Sequence, residues 1–322
     1  MPERKQWVDL LRGVCMMAIL WDHTEIYMSG RNIIPYAIYV TDALVVFFFL
    51  SGYLMFKANG FDIKHKMKSI CRTLLLPYFI FTIVITITKT WVRGQQLVFP
   101  DLVTYIGTGQ ASWFIAALIT AEIIFSIVLH LCREKIGAVA IVSFTLSGIL
   151  LAFHDKTDIN FWQIENALLA VLFLFSGYAY HRFESHLKIL SRPLYLLIGV
   201  LLMVVIKVII YTQSIELYIN PIAIRHYPLF LLNVLVSILV LTSISKKFPN
   251  VSVIQWTGRN SIVYYFLSGA VPMITQMLFA AIGLTYNHNY MVILAAFAVV
   301  YLLASVLTWI VCRYAPFIIG RF

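Results

Sequence analysis

The chain has 322 residues, of which 61% are hydrophobic and 12% are charged. About a quarter of the residues of a soluble domain are charged and about half or fewer are apolar, so this composition excludes an ordinary soluble globular domain and indicates a chain that lies in lipid. The net charge of +10 would suit a nucleic-acid-binding protein, but the basic residues lie in loops between apolar segments. We therefore assign them to membrane orientation and anionic lipid headgroups, and we expect no nucleic-acid partner.

Apolar segments about 20 residues long, enough to cross the hydrocarbon core of a bilayer, follow one another along the whole sequence. The segments predicted as transmembrane helices are 8–28, 38–56, 70–91, 113–132, 136–153, 165–181, 194–211, 227–244, 261–282 and 290–313. They predict an all-α polytopic membrane protein of about ten transmembrane helices, with residues 1–322 forming a single integral membrane domain.

The loops between these segments differ in their content of Lys and Arg. With the N-terminus inside, basic residues such as Arg4, Lys64, Lys66 and Lys68 are several times more frequent in inner loops than in outer loops, where Lys156 is one of few. This bias predicts that both termini are cytoplasmic and that the protein is a multi-pass protein of the cytoplasmic (inner) membrane.

The cysteines and the first segment bear on processing and on metal binding. Cys15, Cys71, Cys132 and Cys312 fall in no predicted outer loop and match no zinc-binding spacing, so we expect neither a disulfide nor a metal site. The first apolar segment lacks a small-residue cleavage site, and we expect it to remain as the first helix.

Two further sequence features concern helix packing and the membrane interface. Residues Phe48–Tyr53 and Phe173–Tyr178 are similar hexamers that each contain a Ser-Gly-Tyr triplet, and such small residues permit close contact between helices. In the predicted outer loop 92–112, the stretch from Leu97 to Ile106 is amphipathic and is expected to lie along the membrane interface.

The first predicted helix carries the largest group of ionisable side chains: Asp9, Arg12, Asp22, His23 and Glu25. Arg12 and His23 are separated by close to three helical turns, so they share one face and lie about 16 Å apart along the axis. Asp9 lies one turn before Arg12 and can pair with it. Charges within a membrane helix are costly and indicate a functional site, although interfacial anchoring and an ordinary helix-end histidine are the alternative interpretation.

These residues also carry a family resemblance. Asp9-Leu10-Leu11-Arg12-Gly13, with His23 eleven positions after Arg12, resembles the first-helix signature of the acyltransferase-3 family, and this spacing is the most specific element. Later family motifs are resembled by Phe47–Leu54, Arg72–Tyr78 and Trp113–Ile115 with Leu118. The resemblance covers residues 4–125, and the third-helix variant is similar to that of fucose 4-O-acetylase-like proteins.

The resemblance implies transfer of an acyl group, usually acetyl, from a cytoplasmic donor such as acetyl-CoA to a hydroxyl of a glycan. It implies that His23 is the catalytic histidine, that Arg12 is a charge in the donor path and that Arg72 is the family's third-helix arginine. We expect no bound cofactor, because the acyl-CoA is a substrate. The sequence departs from the family at Ser268, where a late motif often has histidine, and at Asp22, where many relatives have a small residue.

The residue types agree with this chemistry, because an imidazole with a pKa near 6.5 can accept the proton of a sugar hydroxyl. Asp22 or Glu25 can hold the imidazole tautomer, and Asp42 is a further candidate. The sequence leaves open whether His23 is a general base or carries the acyl group itself.

Other side chains are candidates for binding the two substrates. Arg12, Arg72 and the neighbouring Asp9 are assigned to the donor, whose phosphates would enter on the basic inner side near residues 57–72. Trp113, Asp42 and Glu122 are assigned to the acceptor. Glu122 requires a partner within the helix bundle, such as a tyrosine or an arginine, and Trp113 could equally anchor its helix at the interface. Lys207, in the seventh segment, can snorkel.

The sequence thus predicts a membrane O-acyltransferase acting on an envelope or capsular glycan or its lipid-linked precursor. A glycan exporter and a non-catalytic assembly partner of the same fold are the alternatives. Transporters often contain inverted repeats and helices broken within the membrane, and the sequence pattern indicates neither. The oligomeric state is left open.

Overall fold

The structure is a computed structural model that describes residues 5–94, 96, 98–153 and 161–321. Three residues named in the sequence predictions, Arg4, Leu97 and Lys156, lie outside the described residues. Within the described ranges the chain is helical apart from one short antiparallel ladder, in which Leu217 and Tyr218 pair with Ile224 and Ala223. The all-α prediction is confirmed.

The helices carry labels in chain order. They are α1 Gln6–Ser29, α2 Tyr36–Met55, α3 Ile63–Ile70, α4 Leu76–Val92, α5 Phe99–Gly107, α6 Trp113–Leu131, α7 Ile136–Phe153, α8 Ile164–Arg182, α9 Pro193–Thr212, α10 Tyr227–Lys247, α11 Ser252–Arg259, α12 Ser261–Leu267, α13 Ala270–Ala281 and α14 Tyr290–Tyr314. Each of the predicted apolar segments coincides with one of these helices or with a consecutive pair of them.

The predicted count of about ten membrane-crossing helices is not confirmed. Among the described residues, seven helices are long and apolar enough to cross a bilayer, or eight if the bent pair α12–α13 is one span. The charged side chains of α1 set it apart from these helices, and the described side chains of α7, Ile136–Leu150, form a shorter apolar helix. The chain is therefore a multi-pass membrane protein, with seven or eight candidate spans among the residues that the structure describes.

The third predicted span is longer than its apolar core. Residues Ile63–Val92 form one continuous helical span, in which α3 and α4 are joined by a π-helical turn at Cys71–Leu75. Pro77 follows this turn. Its ring would clash with the carbonyl of Thr73 in a regular α-helix, and a widened turn relieves that clash. Arg72 therefore lies on a local irregularity of the helix.

The predicted helix 261–282 is broken, which corrects the expectation that no helix is interrupted within the membrane. Helices α12 and α13 meet at an angle of 46°. Pro272 has no N–H to donate to the carbonyl of Ser268, and the intervening Gly269 is a poor helix former. The hydroxyl of Ser268 donates to the carbonyl of Tyr265 at 2.7 Å. The break thus follows from local sequence.

The chain packs as two compact units. The first comprises residues 1–44, 189–218 and 223–316. In it, α1 packs against α11 through two glycines. A Cβ on Gly13 would lie 2.0 Å from the carbonyl oxygen of Ile254, and a Cβ on Gly258 would lie 1.8 Å from that of Asp9. Any larger residue at either position would force the two helices apart.

The second unit comprises residues 45–188, 219–222 and 317–322. Here the two similar hexamers pack against each other. A Cβ on Gly52 would lie 1.9 Å from the carbonyl oxygen of Leu174, and a Cβ on Gly177 would lie 1.9 Å from that of Phe49. The close contact expected of these small residues is confirmed.

Candidate active site

His23 and Asp22 are neighbours near the C-terminal end of α1. The Nδ1 atom of His23 lies 3.6 Å from Oδ2 of Asp22, and the side chains are 37% and 3% exposed respectively. This distance is too long for a hydrogen bond, so the contact is electrostatic. In the part of the chain that the structure describes, no hydrogen bond involves Nε2 of His23. One imidazole nitrogen therefore faces a carboxylate and the other is available to a substrate.

Asn32 contacts the opposite oxygen of the same carboxylate. Its side-chain amide donates to Oδ1 of Asp22 at 2.5 Å. Asp22 is consequently held between an amide on one oxygen and the imidazole on the other. The sequence interpretation did not identify Asn32, because a lone asparagine in a loop gives no sign of the side chain that it will meet.

Glu25 has a different set of partners. Its Oε2 atom accepts hydrogen bonds from the backbone N–H groups of Ile33 and Ile34 at 2.7 and 3.0 Å, and Oε1 accepts from the hydroxyl of Tyr290 at 2.6 Å. Glu25 is fully buried. Of the two carboxylates predicted to hold the imidazole, Asp22 faces His23, whereas both oxygens of Glu25 are engaged elsewhere.

Asp42, the third candidate, is buried in a polar cluster with α9 and α10. Its carboxylate contacts Nζ of Lys207 at 2.5 Å and accepts from Asn233 at 2.8 Å and Ser237 at 2.9 Å. Lys207 also donates to the carbonyl of Ala37 at 3.3 Å. Lys207 therefore points into the protein and forms an ion pair, in place of the predicted snorkelling.

Asp9 is joined to a distant arginine. Nε of Arg259, at the end of α11, lies 3.1 Å from Oδ2 of Asp9, beside the Gly258 contact with the backbone of Asp9. Arg12 is partly buried on the same helix as Asp9. The predicted charged stripe of α1 is therefore linked to α11 through Arg259, a partner that the sequence did not indicate.

Glu122, in the second unit, has the ion-pair partner that it requires, but of a different residue type. Nζ of Lys66 lies 2.8 Å from Oε2 of Glu122, and the hydroxyl of Ser51 donates to Oε1. The partners are a lysine and a serine, where the sequence suggested a tyrosine or an arginine. Lys66 therefore does more than orient the chain in the membrane.

The cationic side chains near Arg72 are on the surface of the second unit. Arg72, Lys64 and Lys68 are exposed, and α3 begins at Asp62, whose side chain caps it by accepting from the backbone of His65 at 3.1 Å. Exposed arginine and lysine side chains on one continuous span can bind phosphate groups.

Trp113 begins α6 and is partly buried. Its ring lies edge-on to Phe114 at 5.7 Å between ring centroids, and Phe114 packs against Phe47 at 5.8 Å. Trp113 is thus part of an aromatic cluster with residues of the second-helix motif.

The predicted site residues are divided between the two units. Asp22, His23 and Glu25 lie in the first unit, as do Asp9, Arg12 and Asp42, whereas Arg72, Trp113 and Glu122 lie in the second. In the first unit an imidazole, backed by a buried carboxylate and open at Nε2, can accept a proton from a hydroxyl group.

Comparison with known proteins yields one match. A family model described as an acyltransferase domain matches residues 5–312, nearly the whole chain. Neither a curated protein nor a solved structure matches the sequence.

Proposed function

The chain belongs to the acyltransferase-3 family and is a membrane acyltransferase, and from this premise we propose a more specific reaction. The acyl group, acetyl in the simplest case, moves from cytoplasmic acetyl-CoA to a hydroxyl of a cell-envelope or capsular glycan or of its lipid-linked precursor. The similarity of the Arg72–Tyr78 segment to fucose 4-O-acetylase-like proteins supports a sugar acceptor.

The observation that supports this proposal best is the arrangement around His23. Nε2 is open while Nδ1 faces the buried Asp22 carboxylate. In the proposed step, Nε2 of His23 takes the proton of the acceptor hydroxyl while the hydroxyl oxygen attacks the thioester carbonyl. A C–O bond forms, the C–S bond of acetyl-CoA breaks, and the CoA thiolate recovers the proton from the imidazolium.

The donor would be held by cations. We assign Arg12 and Arg72 to the phosphates of CoA, since guanidinium groups bind phosphate oxygens in a bidentate manner. Asp9, through its ion pair with Arg259, would fix the charged face of α1. We also propose the topology predicted from the loops, in which both termini are cytoplasmic and the protein lies in the inner membrane. In this topology the charges have access to cytoplasmic acyl-CoA.

For the acceptor we retain Trp113, Asp42 and Glu122 as candidate contacts. Each belongs to a buried cluster that combines polar or aromatic side chains, which are the groups that recognise sugars. Their substitution would raise the KM for the acceptor if they bind it.

The test uses membranes that contain the full chain, incubated with labelled acetyl-CoA and their own glycans. Wild type should form alkali-labile O-acetyl groups, and His23→Ala should lower the rate by about 10²- to 10⁴-fold, the usual contribution of a general base. His186→Ala, which changes an exposed histidine, is the matched control. Full acetylation by His23→Ala at an equal amount of protein would refute the assignment. Label retained on His23 itself would indicate that the histidine carries the acyl group.

The broken pair α12–α13 favours a second candidate, glycan export, because interrupted helices are common in transporters. The two functions predict different consequences of removing the protein. Loss of transport lowers the amount of surface glycan, whereas loss of transferase activity leaves the amount unchanged and removes its O-acetyl groups. If removing the protein lowers the amount of glycan or of O-acetyl groups, but neither His23→Ala nor the absence of acetyl-CoA has that effect, the protein would be a non-catalytic assembly partner.

A further inference from the structure

The segment that follows α1 is folded back against the helix from which it emerges. Gly30 ends α1 in the left-handed conformation, with φ of 76°, and its N–H donates to the carbonyl of Ile26 at 2.8 Å. Glycine adopts this conformation without a steric penalty. The chain therefore reverses direction immediately after the helix.

Glu25 fixes the returning segment. Its buried carboxylate accepts the backbone N–H groups of Ile33 and Ile34 and the hydroxyl of Tyr290. A buried carboxylate is stable only when its oxygens are matched by donors, and three donors satisfy this one. The backbone just after Asn32 is consequently held against α1.

Asn32 is thereby placed against Asp22. Its amide donates to Oδ1 at 2.5 Å, while Oδ2 lies 3.6 Å from Nδ1 of His23. A carboxylate with one oxygen bonded to a fixed amide cannot rotate freely about its Cβ–Cγ bond. The amide therefore restrains the direction in which the other oxygen points.

We propose that Asn32 is a positioning residue for the catalytic base: held by the Glu25-anchored segment, it orients the Asp22 carboxylate toward Nδ1 of His23. This inference rests on the proposed function of His23. The tautomer of a neutral imidazole is set by the partner of its second nitrogen. The negative charge of a carboxylate 3.6 Å from Nδ1 favours the proton on that nitrogen and leaves Nε2 as the acceptor for the hydroxyl proton.

The informative substitution is Asn32→Asp, which keeps the shape of the side chain and replaces the N–H donor by a charged oxygen. With labelled acetyl-CoA and membranes containing the full chain, kcat per folded molecule should fall about 10- to 100-fold, the scale of a small misplacement of reacting groups. The KM for acetyl-CoA should not change. Asn289→Asp is the matched control, because Asn289 caps α14 by accepting from the N–H of Met291 and an aspartate caps equally well. It should retain wild-type kcat.

The exchange variant Asp22→Asn/Asn32→Asp separates positioning from simple folding. It restores one hydrogen bond between the two positions but leaves no carboxylate facing His23. Thermal stability in detergent should return toward that of the wild type while kcat stays low. Recovery of wild-type kcat in the exchange variant would overturn the proposal.

Three other results would overturn it as well: wild-type kcat in Asn32→Asp, a loss of activity fully explained by less folded protein, or a raised KM for acetyl-CoA at normal kcat. Wild-type and His23→Ala membranes are assayed in parallel. Wild-type transfer that is indifferent to His23→Ala would reject the proposed function and this inference together. His23-dependent transfer that is indifferent to Asn32→Asp would reject this inference alone.

Discussion

The two units of the protein pack their helices through similar glycine contacts but differ in the surroundings of a histidine, His23 in the first unit and His181 in the second. In each, a pair of glycines brings two helix backbones into direct contact: Gly13 and Gly258 in the first unit, Gly52 and Gly177 in the second. Beside the second pair, His181 stacks on Tyr53 with ring centroids 4.0 Å apart.

The difference between the histidines separates a structural role from a chemical one. Nδ1 of His181 lies 2.7 Å from the carbonyl oxygen of Tyr53, and the ring is also packed against Phe56. Each histidine has a carboxylate nearby, Glu184 at 3.9 Å from Nε2 of His181 and Asp22 at 3.6 Å from Nδ1 of His23. Both ring nitrogens of His181 therefore have a partner, whereas among the described residues none bonds to Nε2 of His23. A histidine enclosed by its own helices holds them together, whereas one with an open nitrogen can exchange a proton with a substrate.

The largest expected effects concern two buried ion pairs, Asp42–Lys207 in the first unit and Glu122–Lys66 in the second. Asp42→Leu leaves the ammonium of Lys207 unpaired and should lower the free energy of unfolding by about 3–5 kcal/mol, whereas Asp42→Leu/Lys207→Met should recover most of that loss. Glu122→Leu should cost less, because the Lys66 side chain is 20% exposed against 15% for Lys207. Unfolding of the purified protein in mixed detergent measures all three variants. Equal losses in the single and double variants of the first unit would show that lost packing outweighs the unpaired charge.

The glycine contacts should give the next largest effects. Gly258→Ala and Gly177→Ala each place a Cβ within 2 Å of a carbonyl oxygen and should destabilise the protein by about 1–3 kcal/mol through overpacking. In Gly258→Ala the shift of α11 should also lower acyl transfer, because Arg259 contacts Asp9. Gly137→Ala, where a Cβ meets no atom within 4 Å, is the control for both in the same unfolding assay. A destabilising Gly137→Ala would show that helix contacts are not the cause.

The donor-binding proposal predicts effects of similar size from both units. Arg12→Gln and Arg72→Gln should each raise the KM for acetyl-CoA about tenfold, which corresponds to about 1.4 kcal/mol. Steady-state kinetics over a range of acetyl-CoA concentrations tests this, with Arg192→Gln, at an exposed position, as the control. An unchanged KM for acetyl-CoA in one variant would show that the arginine substituted in it does not bind the donor.

The smallest effect concerns the cap of α3 in the second unit. The backbone N–H of His65 lowers the pKa of Asp62, so the capping contribution is complete above the usual pKa range of aspartate. It is lost as the pH falls through the lowered pKa. Hydrogen exchange of α3 should accelerate at acidic pH in the wild type, whereas Asp62→Ala should exchange rapidly throughout. If hydrogen exchange of α3 accelerates at acidic pH as much in Asp62→Ala as in the wild type, a group other than Asp62 causes the pH dependence.

Much of the fold could be read from the sequence because lipid imposes simple requirements. A long apolar run must satisfy its backbone internally, so the apolar segments coincide with helices. Even the break at Ser268–Gly269 has a local signal, because Pro272 lacks the N–H that a continuous helix requires. The count of spans was less predictable, because charges in α1 lower its apolar character even though it is a long helix.

The sequence by itself determined that this is a helical membrane protein, and its Arg12–His23 spacing pointed to the acyltransferase family to which it belongs. Only the tertiary structure decided the partners of the buried charges: Arg259 for Asp9, Lys207 for Asp42, Lys66 for Glu122, and Asn32 for Asp22. The reason is physical. Hydrophobic periodicity and helix length act over neighbouring residues, whereas a buried charge takes whichever donor the packed helices bring within about 3 Å. In these pairs the donor lies between 10 and 250 residues away along the chain.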